Sequence, residues 1–111
     1  MRDITEQMLS KMTEAIIREI QPEQIYLFGS RARGGAKPDS DIDLLIVKRD
    51  SFGPDHSRWE QLNRIRHALT PFLIATDILV YSTDEIAKWQ HSINHIIAHC
   101  LREGRLLYER S

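Results

Sequence analysis

Cysteine is almost missing from this chain: Cys100 is the only one in 111 residues. That excludes an intrachain disulfide framework and argues against a cysteine-based zinc site. A basic excess is missing as well. Fifteen Lys and Arg against sixteen Asp and Glu leave a formal net charge of −1. Extended nucleic-acid binding and templated polymerisation both call for a positive surface, so the balance disfavours nucleic acid as a partner. No apolar run approaches the roughly 18 residues of a membrane helix, and no signal peptide opens the sequence. The expectation is a cytoplasmic protein that does not engage a membrane. Internal repeats, low-complexity segments and linkers are absent too.

What is present is an ordinary globular composition, 41% hydrophobic and 28% charged, and a length that fits one domain over residues 1–111. Apolar residues at Ile4, Met8, Leu9, Met12, Ala15, Ile16 and Ile20 form a helical stripe that Pro22 stops. Gln24 to Phe28 reads as a short strand halted by Gly29. Two glycines and a proline make Arg31 to Pro38 a loop. Asp41 to Val47 has the continuous apolar character of a buried strand. Trp59, Leu62, Ile65 and Leu69 define a second helix that ends at Thr70-Pro71. Ile74 to Tyr81 is a third strand. Ser82 and Glu85 have capping-box spacing and announce a third helix with Ile86, Trp89, Ile93, Ile96, Ile97, Cys100 and Leu101 on its buried stripe and Gly104 at its end. Arg105 to Tyr108 suits a last short strand. The order α-β-β-α-β-α-β predicts an α/β (α+β) fold in which helices cover a small sheet.

The chemistry gathers between Phe28 and Leu45. Asp41 and Asp43 stand at i and i+2 on a strand, so both point to one face. Asp77 lies inside the apolar third strand. If the two strands are neighbours, three carboxylates converge at one end of the sheet and repel by several kcal/mol, which calls for cations or protons. Hard divalent cations suit such oxygen ligands, and Mg²⁺ completes its shell with phosphate oxygens and water. Two ions of this kind clamp the attacking and leaving oxygens of an in-line displacement at phosphorus. Gly29 and Ser30 offer close backbone approach and a hydroxyl for phosphate oxygens, while Arg31, Arg33 and Lys37 add positive charge. No Gly-Lys-Ser/Thr follows, so this is not a Walker A loop. A lone Asp-x-Asp or Gly-Ser is an ordinary strand-end or turn feature; their joint occurrence with Asp77 carries the weight.

Gly29-Ser30, ten residues, then Asp41-Ile42-Asp43 resembles the signature of the DNA polymerase β-type nucleotidyltransferase superfamily. The fuller Phe-Gly-Ser-Arg-Ala-Arg-Gly and Pro-Asp-Ser-Asp-Ile-Asp-Leu-Leu resemble the minimal nucleotidyltransferase (MNT) proteins, as does the closing stretch from Arg102 to Glu109. The resemblance implies a polymerase β palm-like fold with a small mixed sheet. It implies Asp41, Asp43 and Asp77 as catalytic, metal-binding carboxylates, with two Mg²⁺ ions as cofactors. Gly29 and Ser30, with help from Arg31 and Arg33, would hold the triphosphate of ATP. A hydroxyl would attack the α-phosphorus and pyrophosphate would leave.

MNT proteins of this size resemble the antitoxins of HEPN/MNT toxin–antitoxin pairs, which implies a HEPN toxin as partner and AMP transfer to one of its tyrosines. A small-molecule transferase of the aminoglycoside type is an alternative, but its acceptor needs a pocket that so short a chain can hardly build. A non-catalytic nucleotide- or partner-binding module is a second alternative, against which all three carboxylates weigh. His91, His95 and His99, at i, i+4 and i+8 of the expected third helix, form a stripe opposite its apolar face. Without a carboxylate or cysteine at metal-ligand spacing, that stripe reads as a solvated or partner-facing surface. Arg58, Arg64 and Arg66 read as the solvated face of the second helix. Trp59 and Trp89 read as core.

Overall fold

The computed structural model of the chain describes residues 6–29, 42–92 and 95–110. The first apolar stripe forms helix α1, Glu6–Ile20, and buries Leu9, Met12, Ile16 and Ile20. Strand β1, Gln24–Phe28, follows, and after the intervening segment β2 runs Ile42–Lys48. Helix α2, Arg58–Leu69, ends in a single 3₁₀ turn, Thr70–Phe72, where Pro71 removes a backbone donor. Strand β3, Thr76–Ser82, leads into α3, Thr83–Trp89; α4, Ile96–Glu103, and β4, Arg105–Glu109, complete the order. The result is a mixed α/β fold with one four-stranded sheet in the order β3-β2-β1-β4. β1 pairs antiparallel with β2 and β4, whereas β2 and β3 are parallel. That parallel pair is made possible by the α2 crossover, since parallel neighbours cannot be joined by a tight turn.

Alternation along the strands divides the side chains between two faces. Ile25, Leu27, Ile42, Leu44, Ile46 and Val80 face α1 and α2 and join Leu9, Met12, Ile16, Ile20, Ile65 and Leu69 in one core, twelve buried residues among those described. The opposite face has a smaller cluster of Leu45, Val47 and Cys100, with Tyr26, Phe28, Leu79, Tyr81 and Ile86 half-buried around it. At about 1.5–3 kcal/mol per buried aliphatic side chain, the α1–α2 face supplies most of the hydrophobic stabilisation. The thinner face is therefore free to carry polar groups. Lys48, at the end of β2, donates to the Ile20 carbonyl and so closes the C-terminus of α1 with a cation.

Three expectations need correction. The third helix is two: α3 stops at Trp89, and α4 begins at Ile96. His95 causes the break by capping α4, its Nδ1 accepting the Ile97 N–H at 3.1 Å. The folded-back imidazole stacks on Trp89 at 4.5 Å and meets Tyr81 edge-on. His91, His95 and His99 therefore do not line one helical face, and His99 pairs instead with Glu103. Ile96 is exposed, whereas Ile97 and Cys100 are buried as expected; Ile93 lies outside the described residues.

Trp59 is 68% exposed and is not core. The buried face of α2 is Gln61, Ile65 and Leu69, and Trp59 projects about 120° away from its centre at 3.6 residues per turn. Arg58, expected in solvent, holds the structure together. Its Nη1 donates to the Val80 carbonyl at 2.7 Å and its Nη2 meets Glu85 at 2.5 Å. The guanidinium lies over the rings of Phe52 and Tyr81. It thereby takes a β3 carbonyl and ties β3, α2 and the capping box of α3, in which Ser82 and Glu85 bond reciprocally.

Replacing Arg58 by Gln should lower the unfolding free energy in urea by about 2 kcal/mol, since a charge-assisted bond and a cation–π contact both disappear. Trp59→Ala should shift it by less than about 0.5 kcal/mol. Burial raises the Glu85 carboxyl, but Arg58 and the Ser82 N–H outweigh it and hold the group below its ordinary 4.5. A depressed folded pKa stabilises above that value and is lost as pH falls beneath it. The acid limb of the stability curve below pH 4.5 should therefore be shallower in Arg58→Gln than in the wild type.

Candidate active site

The carboxylates stand where the sheet begins and ends. β1 leaves the sheet at Phe28, and β2 and β3 enter it side by side at the same end. Phe28 is in register with Asp43, and Asp43 is in register with Asp77. Residues directly opposite one another share a face, so Phe28, Asp43 and Asp77 form a row across three strands. Neighbouring strands are about 4.8 Å apart. Like charges in register on neighbouring strands repel, and a cation between them relieves that repulsion. The row sits on the thinner face of the sheet, with Asp43 half-buried and Asp77 exposed.

Gly29 follows directly. Its φ is +76°, a left-handed conformation that costs a residue bearing Cβ about 1–2 kcal/mol. A Cβ there would also collide with Oδ2 of Asp43 and lie 3.2 Å from its Cγ. The chain thus needs glycine twice over at this point: to turn out of the sheet, and to leave room for the Asp43 carboxylate.

Beneath the row lies a residue that the sequence pattern marks only as core. Cys100 of α4 is fully buried, and its thiol is pushed up to about 11, first by burial and then by the negative charge of Asp43. Cys100 is thus close enough to sense that carboxylate, although they are 57 positions apart in the chain (100 − 43). The signal available beforehand was its place on the apolar stripe. Gly104 then brings α4 tight against β1, because a Cβ there would lie 3.1 Å from the Leu27 carbonyl and collide with that of Cys100.

The structure therefore brings together Gly29, Asp43 and Asp77 from three separate segments. Ser30, Arg31, Arg33, Lys37 and Asp41 lie outside the described residues. Among the described residues no group of three or more His, Cys, Asp or Glu is placed to hold a metal ion; the described part of this row supplies two carboxylates. Also among them, no helix is long and apolar enough to cross a membrane.

A sequence model of the family described as polymerase beta, nucleotidyltransferase matches residues 10–111. No curated protein sequence matches the chain. In backbone shape it is similar to a protein of Sulfolobus solfataricus that carries a provisional nucleotidyltransferase assignment, with TM-score 0.60, 22% identity and coverage of 91% of this chain and 80% of that one. It is also similar to a chain of a toxin–antitoxin complex solved with AMP-PNP, with TM-score 0.53, 22% identity and coverage of 92% and 74%. A third is a chain from the complex of the tri-AMPylated Shewanella oneidensis HEPN toxin with its MNT antitoxin, with TM-score 0.51, 20% identity and coverage of 96% and 74%. At these identities the likeness is one of fold.

Two outcomes test the geometry. Gly29→Ala should unfold at lower temperature by the equivalent of about 1–2 kcal/mol, because its backbone must stay left-handed. The Cys100 thiol should resist a disulfide reagent near pH 8 in the folded protein and react promptly once denaturant exposes it. Fast labelling of the native state would contradict its burial.

Proposed function

Because the chain belongs to the polymerase beta nucleotidyltransferase family, we propose that it acts as one Mg²⁺-dependent nucleotidyltransferase domain, moving AMP from ATP to a hydroxyl of a partner protein. The observation that carries this reading is the register of Asp43 with Asp77 beside Gly29. The acceptor is a tyrosine of a HEPN toxin, and the chain is the antitoxin of the pair. Its similarity in fold to chains of toxin–antitoxin complexes, one of them solved with AMP-PNP and another with an AMPylated toxin, supports that choice. The same reading puts the protein in the cytoplasm, where ATP is.

The donor set fits the metal. Asp43 and Asp77 offer only hard oxygen ligands, and their mutual repulsion is relieved by a divalent cation. They would hold Mg²⁺ together with Asp41, two residues before Asp43 in the sequence. When bound, the metal neutralises charge on the triphosphate and activates the reacting oxygens. The protein's own part is to bind and orient. Gly29 and Ser30 receive the phosphates at the turn out of β1, with Arg31 or Arg33 balancing their charge. The acceptor hydroxyl oxygen forms a bond to the α-phosphorus while the bond to the bridging oxygen breaks and pyrophosphate departs. A carboxylate oxygen of Asp77, the more exposed of the two, takes the hydroxyl proton. Alignment and electrostatic stabilisation supply most of the rate.

Incubation with ATP, Mg²⁺ and the HEPN protein should add roughly 329 Da per transferred AMP to the partner by intact mass spectrometry. Stable binding with an unmodified partner would sink the transferase in favour of a binding module. Label on a small hydroxylated molecule instead would move the acceptor class. Asp43→Asn and Asp77→Asn should each reduce transfer by about a thousandfold with no loss of melting temperature, since each relieves like-charge repulsion.

A further inference from the structure

One side chain, His95, joins three elements on the thinner face of the sheet. Its Nδ1 accepts the Ile97 N–H at 3.1 Å and so caps α4. Its ring stacks on Trp89, the last residue of α3, with centres 4.5 Å apart and planes 12° from parallel. Tyr81 of the edge strand β3 meets the same ring edge-on at 6.3 Å. An imidazole nitrogen accepts a hydrogen bond only while it is unprotonated, so this arrangement needs the neutral ring with its proton on Nε2. The usual capping residues, Ser, Thr, Asp and Asn, hold no proton equilibrium near neutral pH, and histidine does.

Protonation changes several contacts together. The acceptor for the Ile97 N–H disappears, and a positive charge arrives at the positive end of the α4 dipole. Stacking on Trp89 returns part of that loss as a cation–π contact, but the indole already carries the Lys88 ammonium 5.0 Å from its centre. The nearby carboxylates are engaged elsewhere: Glu85 with Arg58, Asp84 with Ser51, and Glu103 with His99 at 2.7 Å. Tyr81 offers a neutral phenol, and His91, exposed beyond α3, adds only more positive charge in acid. His99 acts in the opposite sense, because its protonation strengthens the pair with Glu103. The first turn of α4 thus has a proton-sensitive fastening, and what it fastens matters. Ile97, Ala98 and Cys100 form the buried face of α4, with Cys100 beneath Asp43.

We propose that His95 is a proton-operated latch. As the neutral ring it pins the start of α4 to α3 and β3; on protonation it releases that turn and uncovers the Leu45, Val47 and Cys100 cluster behind Asp43. Falling pH therefore loosens the support of the carboxylate row from behind. The latch belongs to the isolated chain and stands whether or not the chain transfers AMP.

Hydrogen exchange on the isolated full chain, read by mass spectrometry between pH 8 and pH 5 and corrected for intrinsic amide rates, tests it. Amides of α4 should lose protection about tenfold relative to those of α1 as the pH falls. In His95→Asn, which caps without titrating, that relative loss should vanish. In His95→Ala the protection of α4 should be low at both ends of the range. Cys100 gives a second readout. The ratio of its labelling rate by a disulfide reagent in wild type to that in His95→Asn should rise about tenfold from pH 8 to pH 5, a comparison that cancels the titration of the thiol itself. An α4 that tracks α1 across the range in the wild type overturns the latch. So does a relative loss that persists in His95→Asn, or one that disappears in His99→Gln, which would make His99 the sensor.

Discussion

The contact between Gly29 and Asp43 is the constraint on which the rest of this end of the molecule depends. Asp43 can lie over the turn because residue 29 has no side chain, and the turn can leave β1 where it does because glycine tolerates a φ of +76°. The antiparallel register of β1 with β2 puts the two residues side by side, and the parallel register of β2 with β3 brings Asp77 up on the other flank. A shift of one residue in either ladder would turn a carboxylate to the opposite face, into a core of twelve buried apolar side chains. The cost of burying an unpaired charge there thus guards the register that aligns the two carboxylates.

The division of labour between the two faces of the sheet follows from the same alternation. The α1–α2 face is thick and apolar and supplies the stability that lets the other face be spent on repelling charges. On that other face, Cys100 and Gly104 bring α4 down against β1 behind Asp43. Arg58 secures the outer strand by occupying the Val80 carbonyl and bonding Glu85. Both arrangements anchor the strands that present the carboxylates without adding residues to the row itself.

The parts of the fold that were legible in the sequence are those with a local cause. The α1 stripe, the stop at Pro22, the β1 span and the Ser82–Glu85 capping box each arise from neighbours within a few residues, and each appears where expected. The expectations that failed involve competition from distant groups. His95 breaks a helix that periodicity alone would continue, because its ring finds the Ile97 N–H on one side and Trp89 on the other. Arg58 and Trp59 exchange their expected places: β3 offers a carbonyl and Tyr81 offers a ring to the guanidinium, and nothing in the α2 sequence announces either.

By itself, the sequence determined which residues are available for chemistry and which face of each strand they occupy, because period 2 is a property of the local backbone. It placed Gly29 at a strand end and Asp43 and Asp77 on strands, and it carried the family pattern. Only the tertiary structure decided that those strands are neighbours, that Asp43 meets Asp77 in register, and that Cys100 lies beneath them. These are pairings between segments far apart in the chain, selected by the burial of the whole sheet between its helices, and no local pattern encodes them. The opening carboxylates are thus a property of the sequence; the site that they form is a property of the fold.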